Sequence, residues 1–347
     1  MDTTRRRSIV VGFGLAAVVL GAVALYIGTS EIVATLQRAL PGAVGMVIVA
    51  AIGWLVAWGL ALHQVAAALG ISLRRRWAIL LIAGGLFWNN ITPFGPAGGE
   101  PVAAYLVTQQ TDTTYERALA TVASVDTINL IPSVSLAAVG AMMLMGSASG
   151  PVGDDLLGIL SVVTVLAALL GLGAIVIYRY RRTLRGGLTH ASHIPIRALA
   201  GVLPRVRVPP IAEVRRRTRG FTTAVGRVAT DRSRLMGALT ASTIGWGCQM
   251  LGLLFALRAV GIDAPIAAVV VAVPLGAIAG ITPLPGGVGG IETVLVVVLL
   301  ALPAVVIGEA TAAAAVVIFR GAVYLLPVVV GGLVTVLLGV RSTDPAG

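Results

Sequence analysis

Long apolar segments separated by clusters of arginine are the feature that most constrains the fold of this chain. A helix rises 1.5 Å per residue, so about 20 apolar residues cross roughly 30 Å of hydrocarbon. With 57% apolar and 11% charged residues, the chain has too much apolar surface for a water-soluble fold. We therefore predict an all-α integral membrane protein. The predicted spans are residues 9–27, 43–62, 118–145, 156–178, 235–257 and 310–338.

The arginine clusters predict the orientation of these spans. Loops rich in arginine remain on the cytoplasmic side of a membrane, and such clusters occur at 5–7, at 74–76 and at 179–234, the last with fourteen arginines. We therefore interpret the net charge of +11 as a sign of topology and expect no nucleic-acid partner. The chain is predicted to lie in the cytoplasmic membrane with several passes and both termini in the cytoplasm. The oligomeric state stays open.

Two further apolar regions, 77–107 and 264–302, do not fit a single crossing. Each consists of an apolar run, a break rich in proline and glycine, and a second apolar run. Each must return to the side from which it started, so we predict two re-entrant hairpins. The first enters from the cytoplasm within a first half at 1–178, and the second enters from outside within a second half at 235–347. The basic cytoplasmic loop at 179–234 joins the halves.

The two breaks resemble each other in sequence. Both run from Ile-Thr-Pro through paired glycines to a glutamate, at 91–100 and at 281–292. Paired interrupted segments in oppositely oriented halves are typical of inverted-repeat transporters, whose site lies near the middle of the membrane. The full prediction is a polytopic helical bundle with two re-entrant broken-helix hairpins in an inverted repeat. Chance similarity between two glycine-rich turns is the alternative.

The breaks and the ionisable residues near them supply the candidate site. Charged side chains within a membrane are costly and mark functional positions, and backbone that leaves helical geometry there must line protein or a polar cavity. A half-helix that starts at Glu100 or Glu292 also carries positive charge at its N-terminal end, which can hold an anion or be neutralised by its own glutamate. The candidate substrate-binding residues are Glu100, Glu292, Arg320, Asp126, Pro93, Gly98, Gly99, Pro285, Gly286, Gly287 and Asn90.

Arg320 is the cation among these candidates, about ten residues into the last predicted span. A lone guanidinium there needs a partner, which Glu292 or Asp126 supplies. Its forked donors also suit a lipid phosphate. The alternative is that glutamate and arginine pair only to close the cavity and fix the packing. Asn90 is also expected to bond backbone groups that the first break frees.

Three motifs of this chain occur together in a known family. They are residues 90–106, the run Pro-Leu-Pro-Gly-Gly-Val-Gly-Gly-Ile-Glu at 283–292, and Arg320 followed by Pro327. In these motifs the chain resembles the transmembrane region of lysylphosphatidylglycerol synthases and the free-standing flippase-like proteins related to it. The resemblance implies an inverted-repeat bundle whose central cavity moves a lipid headgroup between leaflets. Ala103 and Ala104 stand where family members often carry an arginine, so the headgroup preference is expected to differ.

The predicted function is a lipid flippase or scramblase whose partners are anionic phospholipid or polyprenyl phosphate headgroups. An ion-coupled carrier of a small soluble solute is the alternative, because the same broken helices serve both. A membrane enzyme is disfavoured, since the spans contain no His-Glu-x-x-His motif and the synthases' soluble aminoacyl-transferring domain is absent from this sequence. No ATP-binding Gly-x-x-x-x-Gly-Lys loop occurs. We expect no cofactor, no metal, and transport that is passive or driven by an ion gradient, for example through protonation of a carboxylate.

Overall fold

The described part of the chain contains helices and turns but no strand. The computed structural model describes residues 29–92, 96–147, 226–228, 230–281, 284–302 and 305–338. Predicted spans 9–27 and 156–178, and most of the predicted loop 179–234, lie outside these ranges. The helices are α1 (Thr29–Gln37), α2 (Pro41–Ala68), α3 (Arg75–Ile91), α4 (Pro96–Thr108), α5 (Tyr115–Ser147), α6 (Arg232–Ala259), α7 (Ile266–Ile278), α8 (Gly290–Ala301) and α9 (Glu309–Leu337).

Among the described residues, α2, α5, α6 and α9 are each long and apolar enough to cross a membrane. They correspond to four of the six predicted spans and confirm a multi-pass membrane protein. Their ends follow local chemistry. Pro41 opens α2, where a missing N–H costs nothing, and Gly70, with φ of +67°, ends it. The Asp231 carboxylate accepts the backbone N–H of Arg234 and so caps α6 at 3.1 Å.

Helices α2 and α6 pack closely and run antiparallel. Their contacts pair Gly53 with Cys248, Trp58 with Gly245 and Gln64 with Gly237, so one helix ascends as the other descends. A Cβ atom at position 245 would lie 2.3 Å from the Trp58 ring, which is why this position requires glycine.

Two pairs of shorter helices occupy the regions predicted as hairpins. In the first helix pair, α3 and α4, Asn89 lies against Gly99 and Gly85 lies against Ala103. In the second helix pair, α7 and α8, Gly276 meets Leu295 and Gly280 meets Ile291. In both sets of contacts one residue number rises as the other falls, so each pair is antiparallel. The predicted anatomy of helix, break and returning helix is therefore present in both regions.

One predicted boundary is wrong. A half-helix starting at Glu100 was expected, but α4 starts at Pro96 and includes Glu100 as its fifth residue. Proline fits the first turn of a helix because the N–H groups there have no intrahelical partner. The consequence is that Glu100 does not lie at the helix end, unlike Glu292, which is the third residue of α8.

Buried apolar side chains form two clusters, and each helix pair is anchored in one of them. The first helix pair packs with the lower-numbered part of α5 and the end of α2 around Leu69, Leu81 and Leu106. The second helix pair packs with α6 and α9 around Leu257 and Leu299. Each break is thus held in place by its own set of apolar contacts.

Candidate functional site

The break of the second helix pair is a tight glycine turn. A 3₁₀ turn spans Pro285–Gly287, and α8 begins three residues later. Gly286, Gly287 and Gly289 have φ angles of +60°, +64° and +87°. These angles lie in the left-handed region, which glycine adopts readily and other residues rarely do. Three predicted site residues, Pro285, Gly286 and Gly287, therefore form the turn itself.

Glu292 links this turn to α9. One carboxylate oxygen, Oε2, accepts the backbone N–H of Gly289 at 2.7 Å, and the other, Oε1, accepts Nε–H of Arg320 at 2.7 Å. The Glu292 and Arg320 side chains are only 16% and 11% exposed. The carboxylate thus neutralises the positive end of its own helix and also pairs with the buried guanidinium. Of the two partners predicted for Arg320, the structure shows Glu292.

Arg320 also holds the turn and retains spare donors. Its Nη2 donates to the carbonyl of Gly286 at 3.0 Å, and its guanidinium carbon lies 5.8 Å from the centre of the Tyr324 ring. A guanidinium has five N–H donors, and the bonds to Glu292 and Gly286 use two of them within the described residues. The remaining N–H groups can donate to the oxygens of a phosphate group.

The end of α3 meets the second break beside Arg320. Tyr324 donates its hydroxyl proton to the backbone carbonyl of Asn90 at 3.1 Å, and the Asn90 amide donates to the carbonyl of Tyr324 at 3.3 Å. A Cβ atom at Gly286 would lie 2.6 Å from the Tyr324 ring and 3.0 Å from Asn90 Oδ1. We call this contact of Asn90, Gly286, Glu292, Arg320 and Tyr324 the junction. It joins the end of α3, the second break and the middle of α9.

Tyr324 is the junction residue that the sequence analysis missed. The signal available was a hydroxyl-bearing ring one helical turn after Arg320, since residues four apart lie on the same face of a helix. Asn90 was expected to bond freed backbone groups, and it does bond a backbone carbonyl, although that carbonyl belongs to α9 and not to its own break.

Glu100 and Asp126 lie together in a different place. Both line a cavity between α2, α3, α4 and α5, which we call the acidic cavity. Gly99 permits the close packing of α4 on α3 there, because a Cβ atom at this position would lie 1.8 Å from Asn89 Oδ1. The predicted pairing of Arg320 with Asp126 is therefore not what the structure shows.

The remaining predicted site residues belong to the first break. Gly98 lies in the first turn of α4, and Pro93 lies outside the described residues. Within the described ranges, no group of three or more His, Cys, Asp or Glu side chains is placed to hold a metal ion.

This fold and site define a class: a multi-pass helical membrane protein in which two broken-helix pairs meet around a buried ion pair. The family described as the lysylphosphatidylglycerol synthase TM region matches residues 9–331, and the chain belongs to it. The resemblance inferred from the motifs is thus confirmed.

Two relatives from Methanothermobacter thermautotrophicus, each described as a UPF0104 membrane protein, match most of the chain. One is 28% identical over 98% of this chain and 95% of its own length. The other is 25% identical over 82% of each. Their names state a membrane protein and no activity, so the functional argument depends on the site.

Proposed function

We propose that this protein moves the headgroup of an anionic lipid, a phospholipid or a polyprenyl phosphate, across the cytoplasmic membrane without changing it chemically. It would act as a flippase or scramblase. The observation that carries this proposal is the junction, where a buried arginine with unused donors lies beside a glycine turn. Membership of a family described by a lipid synthase supports a lipid as the substrate.

In this mechanism, Arg320 is the phosphate-binding residue. A charged headgroup entering an apolar membrane loses its water, and a guanidinium offers the planar, two-pronged donor set that phosphate oxygens accept. Glu292 keeps the guanidinium neutralised when no lipid is bound. The glycines of the turn have no side chains, so a headgroup can approach the peptide groups closely once Tyr324 and Asn90 move away from Gly286. The acyl or prenyl chains stay in the bilayer.

The lengths of the helix pairs support a site inside the membrane. Helix α3 has 17 residues, and α7 and α8 have 13 and 12. At 1.5 Å per residue they extend about 26, 20 and 18 Å, less than the roughly 30 Å of hydrocarbon. In our proposal the pairs are re-entrant, they enter from opposite faces as an inverted repeat, and both termini are cytoplasmic. The bonds between Asn90 and Tyr324 then close the path, and a headgroup passes when they separate.

The test is lipid movement in liposomes that contain the purified protein. Headgroup-labelled phosphatidylglycerol and labelled polyprenyl phosphate are compared in separate vesicles, and a membrane-impermeant quencher reports which labels reach the outer leaflet. The key variant is Arg320→Gln. Its matched control is Arg258→Gln, because Arg258 forms an exposed pair with Asp263 at 3.6 Å, with the two side chains 50% and 94% exposed.

With the wild type and with the control, we expect the quencher to reach more labelled lipid than the outer leaflet holds at the start, because lipid from the inner leaflet moves outward. Arg320→Gln should slow this movement about tenfold, because a hydrogen bond to a charged group contributes about 1.5–3 kcal/mol. Gel filtration establishes that each variant is folded, and Arg320→Lys shows how much of the effect is charge alone. If both lipids stay protected with folded, inserted wild-type protein, the lipid proposal is wrong. Ion-coupled uptake of a soluble solute would then be measured in the same vesicles.

A further inference from the structure

The acidic cavity is too small for a lipid headgroup. Its volume is about 40 Å³, which is room for a few water molecules, since one water needs roughly 10–15 Å³ measured in this way. Its walls come from α2, α3, α4 and α5, and most of the lining is apolar. The polar lining residues are Trp58, Asn89, Glu100 and Asp126. A cavity of this size and lining fits a small ion or a proton.

The two carboxyl groups in this cavity favour a shared proton. Glu100 and Asp126 line one small, mostly apolar cavity, where two negative charges repel each other, and a proton on one of them turns the repulsion into a hydrogen bond. No arginine of the described residues forms an ion pair with either group. On the four helices that line the cavity, these two are the only titratable side chains facing it.

Asn89 supplies a second and independent observation. Asn89 lines the same cavity, and its amide oxygen is fully buried and has no hydrogen-bond donor among the described residues. Burying an oxygen acceptor without a donor is costly. A protonated carboxyl group or a protonated water in the cavity would supply the missing donor. The acceptor is held there by the packing of α3 on Gly99, the residue before Glu100.

We propose that the acidic cavity is a proton-binding site that couples movement of the lipid to a proton gradient. This inference rests on the proposed lipid transport, and it assigns Glu100 and Asp126 to the driving ion instead of the headgroup. The proton joins the pair from one side of the membrane and leaves to the other, and no other bond forms or breaks. Asn89 faces the cavity while its neighbour Asn90 bonds Tyr324 at the junction. Proton loss therefore changes contacts at the end of α3. The same end of α3 closes the proposed lipid path through its bonds to Tyr324.

The proton itself is measured by infrared spectroscopy on the purified full-length protein. At neutral pH the wild type should show the C=O stretch of a protonated carboxyl group. Glu100→Gln and Asp126→Asn should each remove it, because an amide can donate to the remaining carboxylate and the shared proton is no longer needed. Asp263→Asn, at an exposed acid, should leave the band in place. Absence of the band in the wild type, or its persistence in both cavity variants, would overturn the proposal whether or not lipid moves.

Coupling is measured in the liposome assay with a pH gradient. With one proton per lipid, the wild type should concentrate labelled lipid in one leaflet about tenfold for each pH unit. Glu100→Gln should lose this response yet still let lipid equilibrate. If the wild type moves lipid but the distribution between leaflets does not depend on the pH gradient, the coupling proposal is wrong while the transport proposal stands. If a sodium gradient drives the movement instead, the proton assignment is wrong. If no lipid moves at all, the transport proposal fails and the infrared band alone decides the proton site.

Discussion

The two helix pairs share a break sequence, yet their glutamates lie in opposite electrical surroundings. In the second helix pair, Glu292 bonds a guanidinium and the N–H of its own helix cap. In the first, Glu100 faces another carboxyl group, that of Asp126. The repeated sequence therefore determines where the backbone breaks. The partner of each glutamate is supplied by another helix, α9 for Glu292 and α5 for Glu100. We propose that one break binds an anion and the other a proton.

The helix starts explain this difference. Glu292 is the third residue of α8, and Glu100 is the fifth residue of α4. Each residue turns a helix by about 100°, so two residues move a side chain about 200° around the axis. When the angle around each helix axis is measured from the first residue of that helix, the Glu100 side chain therefore points in nearly the opposite direction from the Glu292 side chain. An earlier start of α4 thus separates Glu100 from its own N-terminus and directs it into the acidic cavity.

The largest expected effect comes from breaking the ion pair of the second helix pair. Arg320→Ala leaves the Glu292 carboxylate buried without its cation, and removal of one partner from a buried pair costs about 3–5 kcal/mol. We expect a large loss of thermal stability in detergent and a partial recovery when Glu292→Gln is added. In the first helix pair, Glu100→Gln gives Asp126 an amide donor in place of a second carboxyl group, so the loss of thermal stability should be smaller by at least half. Equal losses in the two pairs would contradict the comparison.

The next largest effect is expected at the glycine turn. In Gly286→Ala a side chain is placed at φ of +60° and against the Tyr324 ring. The conformation alone costs about 1–2 kcal/mol, and displacement of the ring adds to it. Gly321→Ala is the control, since a Cβ atom there meets nothing within 4 Å and alanine favours the helix by up to about 1 kcal/mol. Unfolding temperatures of both variants test this, and equal values would refute the strained turn.

A smaller effect is expected from the contact between the two pairs. Tyr324→Phe removes the hydroxyl that donates to the Asn90 carbonyl and keeps the ring beside Arg320. Loss of one such hydrogen bond costs about 1 kcal/mol. Because this bond closes the proposed lipid path, the variant should also move lipid faster than the wild type. Lipid movement that is slower, in a protein as stable as the wild type, would mean that the bond does not act as a closure.

The smallest effect is expected at the exposed pair of Arg258 and Asp263. Both side chains are at least half exposed, and such pairs contribute at most about 1 kcal/mol in most proteins. Arg258→Ala should therefore unfold at nearly the wild-type temperature in low and high salt. A loss comparable with that of Arg320→Ala would show that burial is not what distinguishes the pair in the junction.

Much of the framework could be predicted from sequence because it depends on local patterns. Apolar runs long enough to span a membrane located α2, α5, α6 and α9, and proline with paired glycines located both breaks. The pairing of Glu292 with Arg320 was foreseen as one of two alternatives, because a buried guanidinium requires a carboxylate.

What could not be predicted depends on contacts between distant segments. The hydrogen bonds of Tyr324 with Asn90 join residues 234 positions apart. The separation of Glu100 and Asp126 from Arg320 follows from the start of α4 at Pro96, which the Gly-Gly-Glu motif does not reveal. A repeated motif predicts a repeated backbone, and the side-chain environment around it depends on tertiary packing.

The central claim, that the lipid phosphate meets Arg320 in the junction, is tested most directly by comparing two lipids with the same acyl chains. One is headgroup-labelled phosphatidylglycerol, and the other is an equally labelled neutral glycolipid without phosphate. The rate at which each reaches the outer leaflet is measured with the wild type and with Arg320→Gln. We predict that the wild type moves the phosphate-bearing lipid faster and that Arg320→Gln abolishes the difference. Equal rates in the wild type, or a preference that survives in Arg320→Gln, would contradict it.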